Sequence, residues 1–264
     1  PHMAAAGLIE QMGDDSGGDL LEAMDPKDAA NILLKTGKEN GATKLSVMDQ
    51  ASAARIIEHM NPENAAGVIE RMDPRDAGLI LVELENNTSG KILVLLDLLT
   101  SAKILGYMGP RNAAPRLAHM STDAVAASLE LVHPSVAART LELMEPHVGS
   151  RALSIMDLKG ATQVMQEMDS NWAGKTLIEM NPTDAAKVVE GMTPKSAAQA
   201  LQATTPQAGA KILERMFPVN GGRALGDMDP AAAARALEYM EAEKSAKALQ
   251  QLDPKLGTRL MEYM

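Results

Sequence analysis

The chain has no cysteine, one tryptophan, one phenylalanine and three tyrosines in 264 residues. Without cysteine there are no disulfides, no thiolate metal sites and no cysteine nucleophile, and the redox compartment is left open. With aromatics at 2%, stacking platforms for bases, sugars or flavins are missing, so large planar ligands are not expected. No stretch approaches the roughly 18 uncharged apolar residues of a membrane span; the longest apolar patch, 92–99, is broken by Asp97. A net charge of −10 speaks against a duplex-binding protein, whose affinity rests on surplus Lys and Arg. His59, His119, His133 and His147 stand in no metal-ligand spacing. No glycine-rich phosphate loop follows a strand pattern, and the evenly spaced carboxylates read as caps and solvating groups rather than acid–base pairs. The expectation is a protein that is not an enzyme and carries no cofactor.

What the chain does have is a meter. Methionine stands at 16 multiples of twelve, and the other six carry Thr36, Leu84, Leu96, Val132, Thr204 and Leu252. The sequence is therefore 22 tandem repeats of twelve residues with no insertion, and a repeat of this kind fixes the architecture before any single motif is weighed. With positions in each repeat numbered one to twelve, position two holds twelve of the 14 prolines, and position one is Asp, Asn, Ser or Thr in 13 repeats. A capping side chain followed by proline is a helix start, because the side-chain oxygen accepts an orphan N–H and proline has none to lose there. Each repeat thus predicts one helix of about ten residues, roughly 15 Å long. A helix that short needs neighbours to persist.

The apolar columns specify those neighbours. Position nine is Leu, Ile, Val or Met throughout, position six is Ala, Gly, Ser or Thr throughout, and position five is Ala, Gly or Ser except at Val125. Positions two, five, six, nine and twelve form one helical stripe, and five, six, nine and twelve are expected to be the most buried. Small residues in the middle let the next helix come close, and Met at twelve fills the irregular joint. Position seven is Lys or Arg in twelve repeats and position ten is Glu in ten. Six of those acids, Glu58, Glu142, Glu190, Glu214, Glu238 and Glu262, follow a base by three residues, which predicts weak surface pairs. A Glu in the last turn opposes its own helix dipole, so the column is expected to lean on the positive end of the following helix.

The strings Met24-Asp-Pro-Lys-Asp-Ala-Ala-Asn-Ile-Leu, Met60-Asn-Pro-Glu-Asn-Ala-Ala-Gly-Val-Ile and Met180-Asn-Pro-Thr-Asp-Ala-Ala-Lys-Val-Val resemble the short helical repeats of the intracellular N-terminal domain of MgtE magnesium transporters, and more distantly those of MotE and FliG. The resemblance spans essentially the whole chain. It implies an all-α fold, an α-solenoid wound as a right-handed superhelix of about 22 single-helix repeats. In the transporters such a domain helps sense Mg²⁺ through acidic residues. Here there is no membrane span, and no metal ligand transfers residue by residue.

Pro1, His2 and Met3 read as the remnant of a cleaved tag, leaving 4–264 as one elongated repeat domain. Glycines at 13, 17, 18, 37 and 41 mark the repeats expected to be loosest. Pro115 falls at position seven inside a helix, where a lost hydrogen bond and a clash predict a kink. Between 92 and 155, position eleven, mostly polar elsewhere, reads Leu95, Tyr107, His119, Leu131, Leu143 and Ile155, with Leu98 and Leu99 beside it. If this column faces solvent it forms an apolar strip suited to a partner or to self-association; the alternative is that local packing buries it. Trp172 is an isolated aromatic that could anchor a partner. The last repeat keeps apolar Leu260, Met261 and Met264, so contacts with another copy are expected to cover Leu260 and Met264.

Three functions follow from these features. The first is a scaffold for protein–protein interaction or self-assembly. The second is a regulatory module responsive to Mg²⁺ or Ca²⁺, binding weakly through acidic columns one and ten. The third is an RNA-binding array using column seven, which the net charge and the missing aromatics disfavour. A soluble, intracellular setting is the expectation.

Overall fold

The computed structural model describes residues 2–264. Among them are 22 helices and no strand, and the chain divides into two compact units, 1–132 and 133–264. The first holds α1 (His2–Gln11), α2 (Asp14–Glu22), α3 (Pro26–Thr36), α4 (Lys38–Ser46), α5 (Gln50–Ile57), α6 (Pro62–Ile69), α7 (Pro74–Glu83), α8 (Asn86–Leu95), α9 (Leu98–Met108), α10 (Pro110–Leu117) and α11 (Thr122–Glu130). The second holds α12 (Pro134–Glu142), α13 (Pro146–Ile155), α14 (Leu158–Glu167), α15 (Ser170–Glu179), α16 (Pro182–Gly191), α17 (Pro194–Gln202), α18 (Pro206–Leu213), α19 (Pro218–Asp227), α20 (Pro230–Tyr239), α21 (Ala242–Leu249) and α22 (Pro254–Glu262). The all-α fold of tandem single-helix repeats is the one expected.

Local chemistry sets the meter. All 13 Asp, Asn, Ser and Thr residues at position one accept a hydrogen bond from a backbone N–H of the first turn, from Asp25 of α3 to Asp253 of α22. Each such cap is worth about 1 kcal/mol. The twelve prolines at position two all open helices, where the missing N–H costs nothing.

Within each unit a helix packs chiefly on the helix two places along: α5 on α7, α7 on α9, α12 on α14, α17 on α19. Position six is small because that neighbour's backbone arrives there. A Cβ on Gly90 of α8 would meet the Arg116 carbonyl of α10 at 2.8 Å, and one on Gly174 of α15 would meet the Ala203 carbonyl carbon beyond α17 at 2.6 Å.

Columns five, six, nine and twelve are core almost throughout, and column eight is core as well, buried in every repeat from Ile32 to Leu260. Position two is mostly half-buried instead. At about 100° per residue, positions eight, twelve, five, nine, two and six span an arc of about 160°. A helix with neighbours on both sides along an array needs so wide a face. Leu260, expected to lie open for another copy, sits in column eight and is fully covered by its own chain, whereas Met264 is exposed.

Two members of column eight are basic, and each closes the end of the helix three places back. Lys44 of α4, 2% exposed, donates to the Met12 carbonyl just past α1 (3.0 Å) and to Asp14 Oδ1 (2.6 Å). Gly17 makes room, since a Cβ there would sit 2.7 Å from the Lys44 side chain. Arg116 of α10, 4% exposed, donates through Nε to the Leu81 carbonyl (3.1 Å) and through Nη2 to the carbonyls of Val82 and Leu84 (3.4 Å for Leu84). These are terminal carbonyls of α7 with no helical partner, and a cation there also meets the negative end of the helix dipole. Burial draws the guanidinium pKa below its ordinary value, with the nearby Glu83 carboxylate opposing that shift. Pro115, the expected site of a kink, lies inside an uninterrupted α10 no shorter than α5, α6 or α18, with its neighbour Arg116 tied to α7. The glycine-bearing α2 and α4 run nine residues each.

Candidate interaction surfaces

Column eleven faces solvent. In the first unit Leu95, Leu98, Leu99, Tyr107 and Leu131 are each at least 44% exposed, so the chain presents branched aliphatic side chains where other repeats place Lys35, Arg71 or Glu83. In the second unit Leu143 and Ile155 are exposed in the same column. Trp172 of α15 is half-buried, with the Lys175 ammonium 4.8 Å from its ring centroid. That arrangement joins an apolar anchor to a fixed cation.

The acidic column ten takes a role that sequence spacing did not suggest. None of the six expected pairs between positions seven and ten comes within ion-pair distance among the described residues. In several repeats, among them those of Glu142, Glu190 and Glu214, the position-ten side chain instead accepts from the backbone N–H of the residue that opens the helix three places along. Glu70 accepts from Asp97 (3.2 Å), Glu142 from Asp169 (2.7 Å), Gln166 from Thr193 (3.0 Å), Glu190 from Phe217, Gln202 from Asp229 (2.9 Å) and Glu214 from Glu241 (2.7 Å). Every contact spans 27 residues. A hydrogen bond from a fixed N–H to a carboxylate outweighs an exposed pair worth a few tenths of a kcal/mol. The dipole compensation expected from the following helix comes from the third helix along.

Three shallow grooves in the second unit repeat on this lattice. Each has an apolar floor from one helix joint and a position-seven base on the wall: Met156, Ala161 and Met180 below Lys187; Met192, Ala197 and Met216 below Arg223; Pro206, Gly209 and Met228 below Arg235. Glu190 lines the second groove with Arg223, yet its Oε1 points to the Phe217 N–H and to Asn220 Nδ2 (3.3 Å).

Three carboxylates are shifted by their partners. The Lys44 ammonium holds the Asp14 carboxyl below its ordinary pKa, Thr100 does so for Asp97, and Lys247 for Glu243. Among the described residues no three His, Asp or Glu side chains converge where a metal ion could sit, and no helix is long and apolar enough to cross a membrane. The position-eight bases and the position-ten caps escaped sequence reasoning. The signal for the first was present, two cations in a column otherwise apolar or small.

Capped single-turn joints, columns repeating every twelve residues and packing between helices two apart define a tandem short-helix repeat protein. Residues 18–109, 60–148, 108–202 and 176–264 each match the MgtE intracellular N domain. The chain belongs to that family, and its array is long enough for four overlapping copies of the match. Comparison with curated proteins and with solved structures gives no significant match.

Proposed function

We propose that the chain is a non-enzymatic scaffold whose repeats present surfaces for protein partners or for further copies of itself. The supporting observation is the exposed apolar face of the first unit, where Leu95, Leu98, Leu99, Tyr107 and Leu131 cluster in and beside one column of neighbouring repeats. Large apolar side chains exposed in and beside one column of successive repeats are costly to leave in water and support an interaction role. The test is sedimentation velocity with affinity capture, comparing the native chain with L99E/L131E. The native chain self-associates or retains partner proteins, and the variant loses both with its helical circular dichroism unchanged. A strictly monomeric native chain that retains nothing refutes the proposal, and loss of helicity in the variant would show the column to be core.

The alternative of a module responsive to divalent cations draws on the family and on the acidic columns. Many of its candidate ligands, the position-one aspartates and Glu142, Glu190 and Glu214 among them, already serve as caps. Thermal melts separate the two readings, since millimolar Mg²⁺ or Ca²⁺ raises the melting temperature of a sensor and leaves a scaffold unmoved.

A further inference from the structure

Column seven of the second unit is exposed in all eleven repeats and basic in nine of them. Its pattern has a second period of three repeats. Arg139, Lys175, Lys211 and Lys247 lie on α12, α15, α18 and α21; Arg151, Lys187, Arg223 and Arg259 lie on α13, α16, α19 and α22; Gln163, Gln199 and Arg235 lie on α14, α17 and α20. Three helices is also the step at which position-ten side chains tie one helix to another. Glu142 joins α12 to α15, Glu214 joins α18 to α21, and Glu190 joins α16 to α19. The lattice therefore carries two strips that are basic at every step and a third that is largely uncharged.

These cations are left uncompensated by the fold itself. Of the acids three residues on, Glu142, Glu190 and Glu214 are held by the N–H groups of other helices, and after Arg151, Lys175, Arg223 and Lys247 the position carries no acid. Only Lys187, with Asp184 at 3.3 Å, and Lys247, with Glu243, form ion pairs in the two strips. Arg139, Arg151, Lys211, Arg223 and Arg259 make none, and Lys175 lies on the Trp172 ring. Exposed cations along a strip, with Lys187 and the unpaired Arg223 above Met- and Ala-floored grooves, are complementary to an anion that also brings apolar groups. A nucleic acid brings phosphates, but it needs aromatic platforms to stack on; the second unit offers one Trp, and its 14 bases stand against 16 acids.

We propose that column seven of the second unit is a docking surface for an extended acidic segment of a protein partner, one carboxylate to each cation along a strip, with Trp172 and Lys175 as its anchor. Successive cations of a strip lie 36 residues apart on helices tied by position-ten hydrogen bonds, and an extended segment with acids spaced along its length is the matching shape. This inference rests on the scaffold reading but concerns a different surface.

The probe is a synthetic peptide of five Glu-Pro-Pro triplets, whose polyproline conformation sets its acids in one row. It is titrated against the full chain with the fluorescence of the single tryptophan as readout. The peptide binds, its affinity falls with added salt, and a peptide of the same composition with all five Glu at one end binds more weakly. R139Q/K211Q/K247Q combined with R151Q/R223Q/R259Q installs the glutamine that the third strip already tolerates at Gln163 and Gln199. These changes lower the affinity by about tenfold or more, the scale of lost charge pairing at an interface. K159Q/K195Q/K255Q, which removes exposed bases from position three, leaves it within about twofold, as expected for diffuse surface charge. L99E/L131E binds the peptide as the native chain does, so this test and the sedimentation test fail independently. No binding, equal loss in the column-seven and position-three variants, or tighter binding of single-stranded RNA or phosphatidylserine vesicles than of the peptide overturns the proposal.

Discussion

Replacing Arg116 by methionine keeps the length and much of the volume of the side chain but removes the fork that closes α7. Three carbonyls, those of Leu81, Val82 and Leu84, lose their donor, and none of them has another donor of its own helix to turn to. Hydrogen bonds to a charged group contribute about 1.5–3 kcal/mol each, and the cation at the end of the helix dipole adds up to about 2 kcal/mol. Relief from burying a guanidinium offsets several kcal/mol of that sum, leaving a net loss of about 3 kcal/mol. A repeat array passes stability between neighbours, so a melting temperature reports on the whole chain and is not the observable that locates a change at one helix. Amide hydrogen exchange is the right one. R116M should speed exchange in α7 and α10 by about 100-fold, the equivalent of about 3 kcal/mol, and leave α17 to α20 unchanged. Arg116→Lys, which keeps the charge but not the planar fork, should fall between the two. Exchange in α7 unaltered by R116M would refute the assignment of Arg116 as the closure of that helix.

Glu190→Ala should expose the N–H of Phe217, whose own side chain caps nothing, and destabilise α19 by about 0.5–1.5 kcal/mol. Glu190→Gln should be nearly silent, because Gln166 and Gln202 make the same contact; exchange rates in α19 tell the two variants apart. Gly174→Ala should cost about 1–3 kcal/mol through the clash with the Ala203 carbonyl. Gly106→Ala, with nothing within 4 Å of the new Cβ, should add about 0.5–1 kcal/mol. Denaturant midpoints for the pair should move in opposite directions.

Most helix starts were legible because position one and position two act locally, a cap and a proline needing no knowledge of what lies across the core, and the twelve-residue period placed the starts that have neither, such as those of α4 and α8. Column eleven was legible too, as an apolar run in a mostly polar row, and Leu95 and Leu131 do face solvent. Column eight was readable but misjudged, since a single stripe was assumed where neighbours on both sides demand a wider one. Glu190 and Arg116 were beyond spacing arguments. Their partners lie 27 and 32–35 residues away, at a separation fixed by which helices touch, and nothing local in the chain announces that the third helix along is the one met.

Because several helix starts are held by a side chain 27 residues earlier, the gene for such an array can be edited only in certain steps. A single inserted codon would pull a start away from its acceptor and rotate the apolar arc of one helix, whereas duplication or loss of a whole repeat preserves both. The strips of charge impose a coarser rule. Loss of one repeat shifts every later cation onto a neighbouring strip, and loss of three restores the alignment. Ancestry by tandem duplication would therefore leave the fold indifferent to repeat number while making its surface pattern count in threes.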